Sequence, residues 1–277
     1  MLCCGCSQAP ADSAVTETLP EMTEPPVPAV VYYVTDHDTV SVSSVTSFQS
    51  GVEEKGHTFR SGELDALPAN ADLVILNAPH TDLTSEELTA LDTYMAEGGH
   101  LMLLMPADET ETRYKYLERF LEEYCIQMDY DILRETAKNN MQDGDEYHPL
   151  IRQIHAPDGM TIVPETAERP LYLNRCRSFH FLVMDNFSYM RQDVILKSSE
   201  SVVGEPCGGV ADDPLTYENE ALMTMLYSRD TTKQNAFVIC VGASDFLDDA
   251  NYSLDFSRSA QDYVFAAIDW AAHPTGF

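Results

Sequence analysis

The chain has 277 residues, 44% of them hydrophobic, so it can bury a sizeable core and is not disordered throughout. Its 16 Lys and Arg against 46 Asp and Glu give a net charge of −30, which excludes the large basic face that a nucleic-acid binder needs. The same charge disfavours anionic membrane surfaces unless an anchor holds the chain there. No uncharged run reaches the ~18–20 residues that span a bilayer.

Residues 1–29 form a leader of distinct composition. The chain begins Met-Leu-Cys-Cys-Gly-Cys-Ser, and Cys6 follows a glycine, as in the lipidated end of a bacterial lipoprotein signal. Residues 7–29 are rich in Pro, Ala, Thr and Glu and contain no Lys or Arg, which predicts a flexible linker. Two interpretations stay open: a chance cysteine cluster in a cytoplasmic protein that starts at Met1, or a membrane-anchored extracytoplasmic protein whose true start lies upstream.

The first half of the remaining chain alternates between apolar strands and amphipathic helices. Residues 30–35 and 72–77 are continuous apolar runs, typical of strands buried on both faces. Between them we expect a helix over about 39–55 and a short strand over 57–60. Thr84 followed by Glu87 predicts a capping box that starts a helix, which ends at Gly98-Gly99.

The pattern continues with a buried strand over residues 100–105 and a helix over about 112–124. The second half is less regular. We expect a loop over 137–148, strands over 178–184 and 193–198, a loop or hairpin over 204–220, a strand over 237–242 and a helix over about 258–272. This alternation predicts a single α/β domain over 30–277. It would be built on an open, mostly parallel sheet with helices on both faces, and would carry an irregular β-containing insertion in its second half.

The order of short motifs resembles the auxiliary-domain family of ABC-type transport systems, which includes the gliding-motility GldG protein. The similar stretches are VYYVTDHDTV, LPANADLVILNAPHTDLTSEELTALDTYMAEGGHLMLLMPADE, LERFLEEYCIQMDYDIL, VICVGASDFLDDANYS and AAIDWAA. The resemblance implies a glutamine amidotransferase-like, flavodoxin-like fold without the catalytic cysteine. It also implies an accessory, extracytoplasmic role beside transporter permease or ATPase subunits or another family member. The chain departs from the family where Asp36 and Asp38 flank His37, since the family tends to have glycine there.

An enzyme of that fold would need a cysteine on a sharp turn after the strand over 100–105, where this chain has Pro106-Ala107-Asp108. Cys125, Cys176, Cys207 and Cys240 are scattered singly in apolar contexts, which is typical of buried free thiols. Gly242-Ala243-Ser244-Asp245 begins like a nucleophile elbow but lacks its closing glycine. The sequence therefore predicts no catalytic residue, and no motif indicates a bound cofactor.

Polar side chains nevertheless follow four of the predicted strands, at the edge where open α/β sheets bind ligands. They could form a cation site with oxygen ligands, or a polar pocket for a small sugar or peptide. The simpler interpretation, which we favour, is that they cap helices and turns, with no dedicated metal centre. The candidate ligand-binding residues are Asp36, His37, Asp38, Asn77, His80, Asp108, Ser244 and Asp245.

These observations favour a non-catalytic accessory or binding domain, tethered at the outer face of a membrane through Cys6. An amidotransferase- or hydrolase-like enzyme on the same fold is one alternative, and it predicts a Ser or Cys, a His and an acid in contact in the structure. A cytoplasmic interaction domain is the other alternative.

Overall fold

The computed structural model describes residues 27–153, 156–157, 159–162, 169–182, 188–208 and 222–272. The leader and Cys6 therefore lie outside the described residues, apart from positions 27–29. The helices are α1 (Thr46–Glu54), α2 (Ser85–Ala96), α3 (Lys115–Glu123) and α4 (Asp255–Ala272). The strands are β1 (Val30–Val34), β2 (Thr58–Gly62), β3 (Leu73–Asn77), β4 (His100–Leu104), β5 (Ile126–Met128), β6 (Asp131–Glu135), β7 (Met141–Gln142), β8 (Asp145–Gln153), β9 (Leu171–Tyr172), β10 (Phe179–Phe181), β11 (Met190–Ser198), β12 (Val202–Pro206), β13 (Met223–Asp230) and β14 (Ala236–Val241).

Five strands form a parallel half-sheet in the order β2-β1-β3-β4-β14. This is the 2-1-3-4-5 order of flavodoxin-like folds, and the predicted α/β class is confirmed. The chain leaves β1 towards one side of the sheet and returns on its other side, so the topological switch point lies between β1 and β3. The continuous apolar runs of β3, β4 and β14 are buried along their whole length because both faces of the sheet are covered.

Helices cover both faces of the sheet, as the alternation of elements predicts. On one face α1 and α4 bury residues such as Phe48, Val52 and Val264. On the other face α2 and α3 bury residues such as Leu91 and Phe120. The capping box at the start of α2 is present, with Glu87 N–H donating to Thr84 Oγ1 and the Thr84 N–H donating to Glu87 Oε2.

The second half of the chain extends the sheet with antiparallel strands in the order β13-β11-β8-β7 beyond β14. The predicted loop over 137–148 is wrong, because β7 and the first part of β8 occupy it. Strand β13 was missed altogether although it lies between β14 and β11. Its buried side chains include Thr224, Ser228 and Arg229, so it has no continuous apolar run to reveal it.

Smaller differences concern element boundaries. The helix expected over 39–55 is a 3₁₀ turn (Val42–Ser44) followed by α1, and the last helix begins three residues earlier than expected. The strand expected over 178–184 is β10, with residues 183–184 outside the described part of the chain. The predicted loop over 204–220 overlaps β12, and its remainder from residue 209 is not described. Among the described helices, none is long and apolar enough to cross a lipid bilayer.

Candidate functional site

The predicted ligand-binding residues follow the carboxyl ends of β1, β3, β4 and β14, which meet at one edge of the parallel half-sheet. We call this edge the carboxyl edge. Two of its turns are tied together by the backbone, because the His80 N–H donates to the carbonyl of His37 at 2.9 Å. The N–H of Val40 donates in the same way to the carbonyl of Asn77 at 3.1 Å. These hydrogen bonds hold the turns after β1 and β3 side by side, at the switch point.

Asn77 supports these two turns through a buried side chain. Its side chain is fully buried, and its Nδ2 donates to the Tyr33 hydroxyl, which in turn donates to the carbonyl of Val40. This chain of hydrogen bonds fixes the turn after β1 against β3. Asn77 thus supports the carboxyl edge and does not face solvent there.

His37 points towards two carboxylates. Its Nε2 lies 3.4 Å from Oε1 of Glu87, at the start of α2, and 3.6 Å from Oδ2 of Asp36. The His37 side chain is 6% exposed, against 23% for Asp36 and 14% for Glu87. His37 and the exposed Asp38 both adopt positive φ angles, 61° and 52°, which non-glycine residues rarely do. Sequence reasoning missed Glu87 as a member of this group, because its capping role already accounts for it.

Each of the two carboxylates is held by the fold through one oxygen. Oδ2 of Asp36 accepts the backbone N–H of Leu64, and Oε2 of Glu87 accepts the N–H and the hydroxyl of Thr84. Burial raises the pKa of Glu87, but the hydrogen bonds from Thr84 and the charge of His37 outweigh burial and hold that pKa below its usual value.

A second imidazole–carboxylate pair lies on the neighbouring turns. His80 Nδ1 lies 2.8 Å from Oδ2 of Asp108, and Oδ1 of Asp108 accepts the N–H and hydroxyl of Thr110. Burial raises the pKa of Asp108, but the hydrogen bonds from Thr110 and His80 lower it further than burial raises it. Because the His80 side chain is 53% exposed, this pair is a solvated one.

Ser244 and Asp245 follow β14 at the same edge. Ser244 precedes a 3₁₀ turn (Asp245–Leu247) without capping it through its side chain. Oδ2 of Asp245 accepts from Asn174 and Asn251, and burial raises the pKa of Asp245. Asp245 therefore joins the β14 turn to a neighbouring loop.

Behind the carboxyl edge lies a buried polar network that the sequence did not indicate. Arg177 and Glu111 form a fully buried ion pair, and Arg177 also donates to the carbonyl of Pro106. Nearby, Ser178 Oγ donates to carboxylate oxygens of Asp129 and Asp131, and His180 Nδ1 lies 2.9 Å from Asp129. The hydrogen bond to Asp129 raises the pKa of His180, and burial raises the pKa of Asp131 to about 6.

That network does not have the geometry of a catalytic triad. In a triad the imidazole receives the proton of the nucleophilic hydroxyl, whereas the Ser178 hydroxyl donates to carboxylates. Among the described residues, no hydroxyl or thiol hydrogen-bonds to an imidazole ring. The four described cysteines are buried, and burial raises the pKa of each thiol, which keeps it protonated and unreactive.

A cavity of about 530 Å³ lies elsewhere, between β7, β9 and the start of α4. Its lining includes Tyr172, Phe256 and Arg258, and none of the predicted ligand-binding residues. The predicted ligand-binding residues are therefore separate from this cavity.

Comparisons with known proteins place the chain by its fold. The mmIFT52 N-terminal domain is similar in structure, with a TM-score of 0.62 and 13% sequence identity over 87% of this chain and 97% of that one. This likeness shows a shared fold. No family model matches the chain, and no curated protein matches its sequence.

Two ThuA-like proteins, which have a glutamine amidotransferase-like fold, are more distantly similar. The one from Bacteroides uniformis is 13% identical over 95% of each chain, with a TM-score of 0.48. The one from Parabacteroides merdae is 12% identical over 90% of this chain and 91% of its own, with a TM-score of 0.49. No GldG or ABC-transport family is shown among the similar proteins, so the finer part of the sequence resemblance remains a proposal.

Proposed function

We propose that the chain is a non-catalytic accessory domain that binds its partner at the outer face of a membrane, beside an ABC-type transport or gliding-motility-like system. The observation that supports a non-catalytic role is that the described thiols and the Ser178 hydroxyl are buried and not activated by an imidazole base. The described thiols are buried with raised pKa values, and Ser178, which shares Asp129 with His180, donates its hydroxyl proton to carboxylates. These features favour binding over group transfer.

The position of the two ends of β1 supports a tethered arrangement. The leader joins the domain at Val30, at the amino end of β1, whereas Asp36 and His37 follow its carboxyl end. A five-residue strand of about 3.3 Å per residue separates the two ends. A domain anchored through Cys6 would therefore be held from the amino edge, with the carboxyl edge free for transporter subunits, another family member, or a small sugar or peptide ligand.

Mass spectrometry of the natively expressed protein, combined with membrane fractionation, tests the tether. We expect a lipid-modified Cys6, and we expect Cys6→Ser to move the protein out of the membrane fraction. Cys3→Ser is the matched control, because it removes a neighbouring thiol and should leave the protein in that fraction. An unmodified Met1, or a soluble parent protein, would contradict the tether and favour the cytoplasmic interaction domain.

Site-specific photo-crosslinking tests the partner. A crosslinking residue at the exposed position 38 lies on the carboxyl edge, and one at the exposed position 97 precedes β4 at the opposite edge. We expect position 38, and not position 97, to capture an ABC-type permease or ATPase subunit in the native membrane. Capture from position 97 alone, or capture of no such subunit, would contradict the proposal.

The enzymatic alternative depends on the convergence of Ser178, Asp129 and His180. If Ser178 were a nucleophile, an active-site-directed fluorophosphonate would label the parent protein and not the Ser178→Ala variant. We expect no labelling of the folded parent, because the hydroxyl is 1% exposed and bonded to two carboxylates.

A further inference from the structure

We propose that Asp36, His37 and Glu87 bind one divalent transition-metal ion, and that Zn²⁺ is the ion that best fits this donor set. One nitrogen and two carboxylate oxygens, one from each residue, lie within 4.8 Å of one another. This site does not depend on the proposed accessory function, because metal binding by itself tests it.

The first observation behind the site is an unsatisfied buried imidazole. Nε2 of His37 is inaccessible to solvent, and its contacts with Glu87 at 3.4 Å and Asp36 at 3.6 Å do not have the geometry of a hydrogen bond. The His37 side chain is only 6% exposed. A buried polar atom without a hydrogen bond is unfavourable, so the fold normally supplies a partner. A metal ion between the imidazole and the two carboxylates would be that partner.

The second observation concerns the carboxylate of Asp36. Oδ2 is held by the N–H of Leu64, whereas Oδ1 is buried and has no hydrogen-bond partner. Glu87 has a related division, because Thr84 holds its Oε2 while Oε1 faces His37. Hydrogen bonds that fix one oxygen of each carboxylate are the outer-shell contacts that orient metal ligands.

The two distances from the imidazole are close to those between ligands of a small tetrahedral ion. Zn–N and Zn–O bonds of about 2.0–2.1 Å at tetrahedral angles put ligand atoms roughly 3.3–3.4 Å apart. Nε2 of His37 lies 3.4 Å from Oε1 of Glu87 and 3.6 Å from Oδ2 of Asp36, which is the oxygen that also accepts the Leu64 N–H. Three protein ligands leave a fourth position for water or a substrate group. The imidazole nitrogen disfavours Mg²⁺ and Ca²⁺, which take oxygen ligands.

The position of the group in the fold agrees with a ligand site. Asp36 and His37 follow β1, next to β3, at the topological switch point where open α/β sheets bind ligands. The start of α2 contributes roughly half a positive charge, which would repel a cation, but the two carboxylates more than offset it. A bound ion would thus join the turn after β1 to the first turn of α2.

Metal titration of the full chain tests the proposal. Cys3, Cys4 and Cys6 are replaced by Ser throughout, because cysteine thiolates are themselves good Zn²⁺ ligands. We expect one saturable equivalent of Zn²⁺ by calorimetry, and a visible absorption band of tetrahedral coordination when Co²⁺ is bound instead. We also expect a rise in the melting temperature with Zn²⁺.

Three variants remove one ligand each with little change to the fold. His37→Asn keeps a residue that tolerates a positive φ, Glu87→Gln keeps a side chain that completes a capping box, and Asp36→Asn keeps an acceptor for Leu64. We expect each to weaken Zn²⁺ binding at least tenfold, since each removes a direct ligand. Glu86→Gln is the matched control, because Glu86 is the exposed neighbour of Glu87 on the same helical turn, its side chain bonds to Ser85, and the change should leave binding unchanged.

Circular dichroism confirms that every variant is folded before titration. Failure of the parent to bind either metal would overturn the site and leave an ordinary histidine–carboxylate ion pair. Binding that persists in folded His37→Asn and Glu87→Gln, or that is lost in Glu86→Gln, would overturn it as well.

Discussion

At the scale of single residues, two adjacent aspartates in the turn after β14 have opposite electrostatic roles. Burial, with the charges of Asp245 and Asp249, raises the pKa of Asp248 to about 6, and its Oδ1 has no hydrogen-bond partner. Asp249 instead accepts hydrogen bonds from Thr46 and Ser47 at the start of α1, which lower its pKa to about 2.

The raised pKa of Asp248 predicts how stability depends on pH. A protonated Asp248 contributes stability below a pH of about 4, and this contribution is lost as the pH rises through about 6. The Asp248→Asn side chain is neutral at every pH. The free energy of unfolding of this variant should therefore exceed that of the parent by about 1 kcal/mol at pH 7, after allowance for partial solvent screening. Urea unfolding between pH 4 and pH 7 measures this, and the difference should approach zero at pH 4.

The neighbouring variant Asp249→Ala provides the contrast. It removes the acceptor at the start of α1 and should lower the free energy of unfolding at pH 7 by about 1 kcal/mol, as a lost helix cap does. Because the stabilisation by an ionised Asp249 is lost as pH falls through about 2, this difference should shrink in acid. Equal behaviour of the two variants would contradict the assignment of their roles.

At the scale of secondary structure elements, α2 is specified by local sequence. The capping box of Thr84 and Glu87 satisfies backbone donors that the first helical turn leaves unpaired. The hydrogen bonds from Thr84 also hold the Glu87 side chain in place beside His37. The start of this helix could therefore be read from the sequence, whereas its contact with the turn after β1 could not.

Thr84→Ala should lower the free energy of unfolding by about 1 kcal/mol, because it removes the side-chain acceptor of the Glu87 N–H. Ser85→Ala is the matched control, since the Ser85 hydroxyl bonds only to the exposed Glu86 and the change should be near neutral. Chemical denaturation of both variants checks the prediction, and equal losses would contradict the role of the cap.

The end of β14 is specified by close packing. Gly242 donates its N–H to the carbonyl of Thr224 and accepts the N–H of Arg177. A Cβ at this position would lie 2.2 Å from the carbonyl oxygen of Arg177, which is backbone and cannot rotate away. The glycine thus lets the segment with the buried Arg177–Glu111 pair lie against the parallel half-sheet.

Gly242→Ala should therefore destabilise the fold by roughly 2–3 kcal/mol, because the backbone must shift to accept the methyl group. Gly144→Ala serves as the comparison. Its φ of +81° is unfavourable for alanine, but no atom lies within 4 Å of the new Cβ. We therefore expect Gly144→Ala to lower the free energy of unfolding by only about 1 kcal/mol. Thermal and urea unfolding report both, and a larger loss for Gly144→Ala would contradict the packing argument.

At the scale of the whole molecule, the net charge of −30 opposes the compact state through self-repulsion. Such repulsion between exposed groups is screened by salt. We therefore expect the melting temperature at pH 7 to rise when NaCl is increased from about 0.02 M to about 0.5 M.

A control at low pH separates this effect from a general effect of salt. Near the sequence pI of about 4.3 the net charge vanishes, so NaCl should change the melting temperature much less there. An equal salt response at both pH values would contradict the prediction.

The sequence alone determined the class of fold and most of its parallel half. Strands β1, β3, β4 and β14 are continuous apolar runs, and that pattern follows from burial on both faces. The caps and glycines around α2 fixed its ends for local reasons that a sequence displays. The polar residues after these strands were therefore assigned correctly to one edge, because parallel strands end on the same side.

Tertiary structure decided the antiparallel half and the pairing of side chains at the carboxyl edge. Strand β13 buries Thr224, Ser228 and Arg229, so its central position depends on neighbours that are distant in sequence and leaves no local pattern. His37 and Glu87 are 50 positions apart in the sequence. They lie 3.4 Å apart because β1 pairs with β3, and α2 follows β3. A sequence shows which groups follow each strand, but the distances on which chemistry depends are set by how the strands and helices pack.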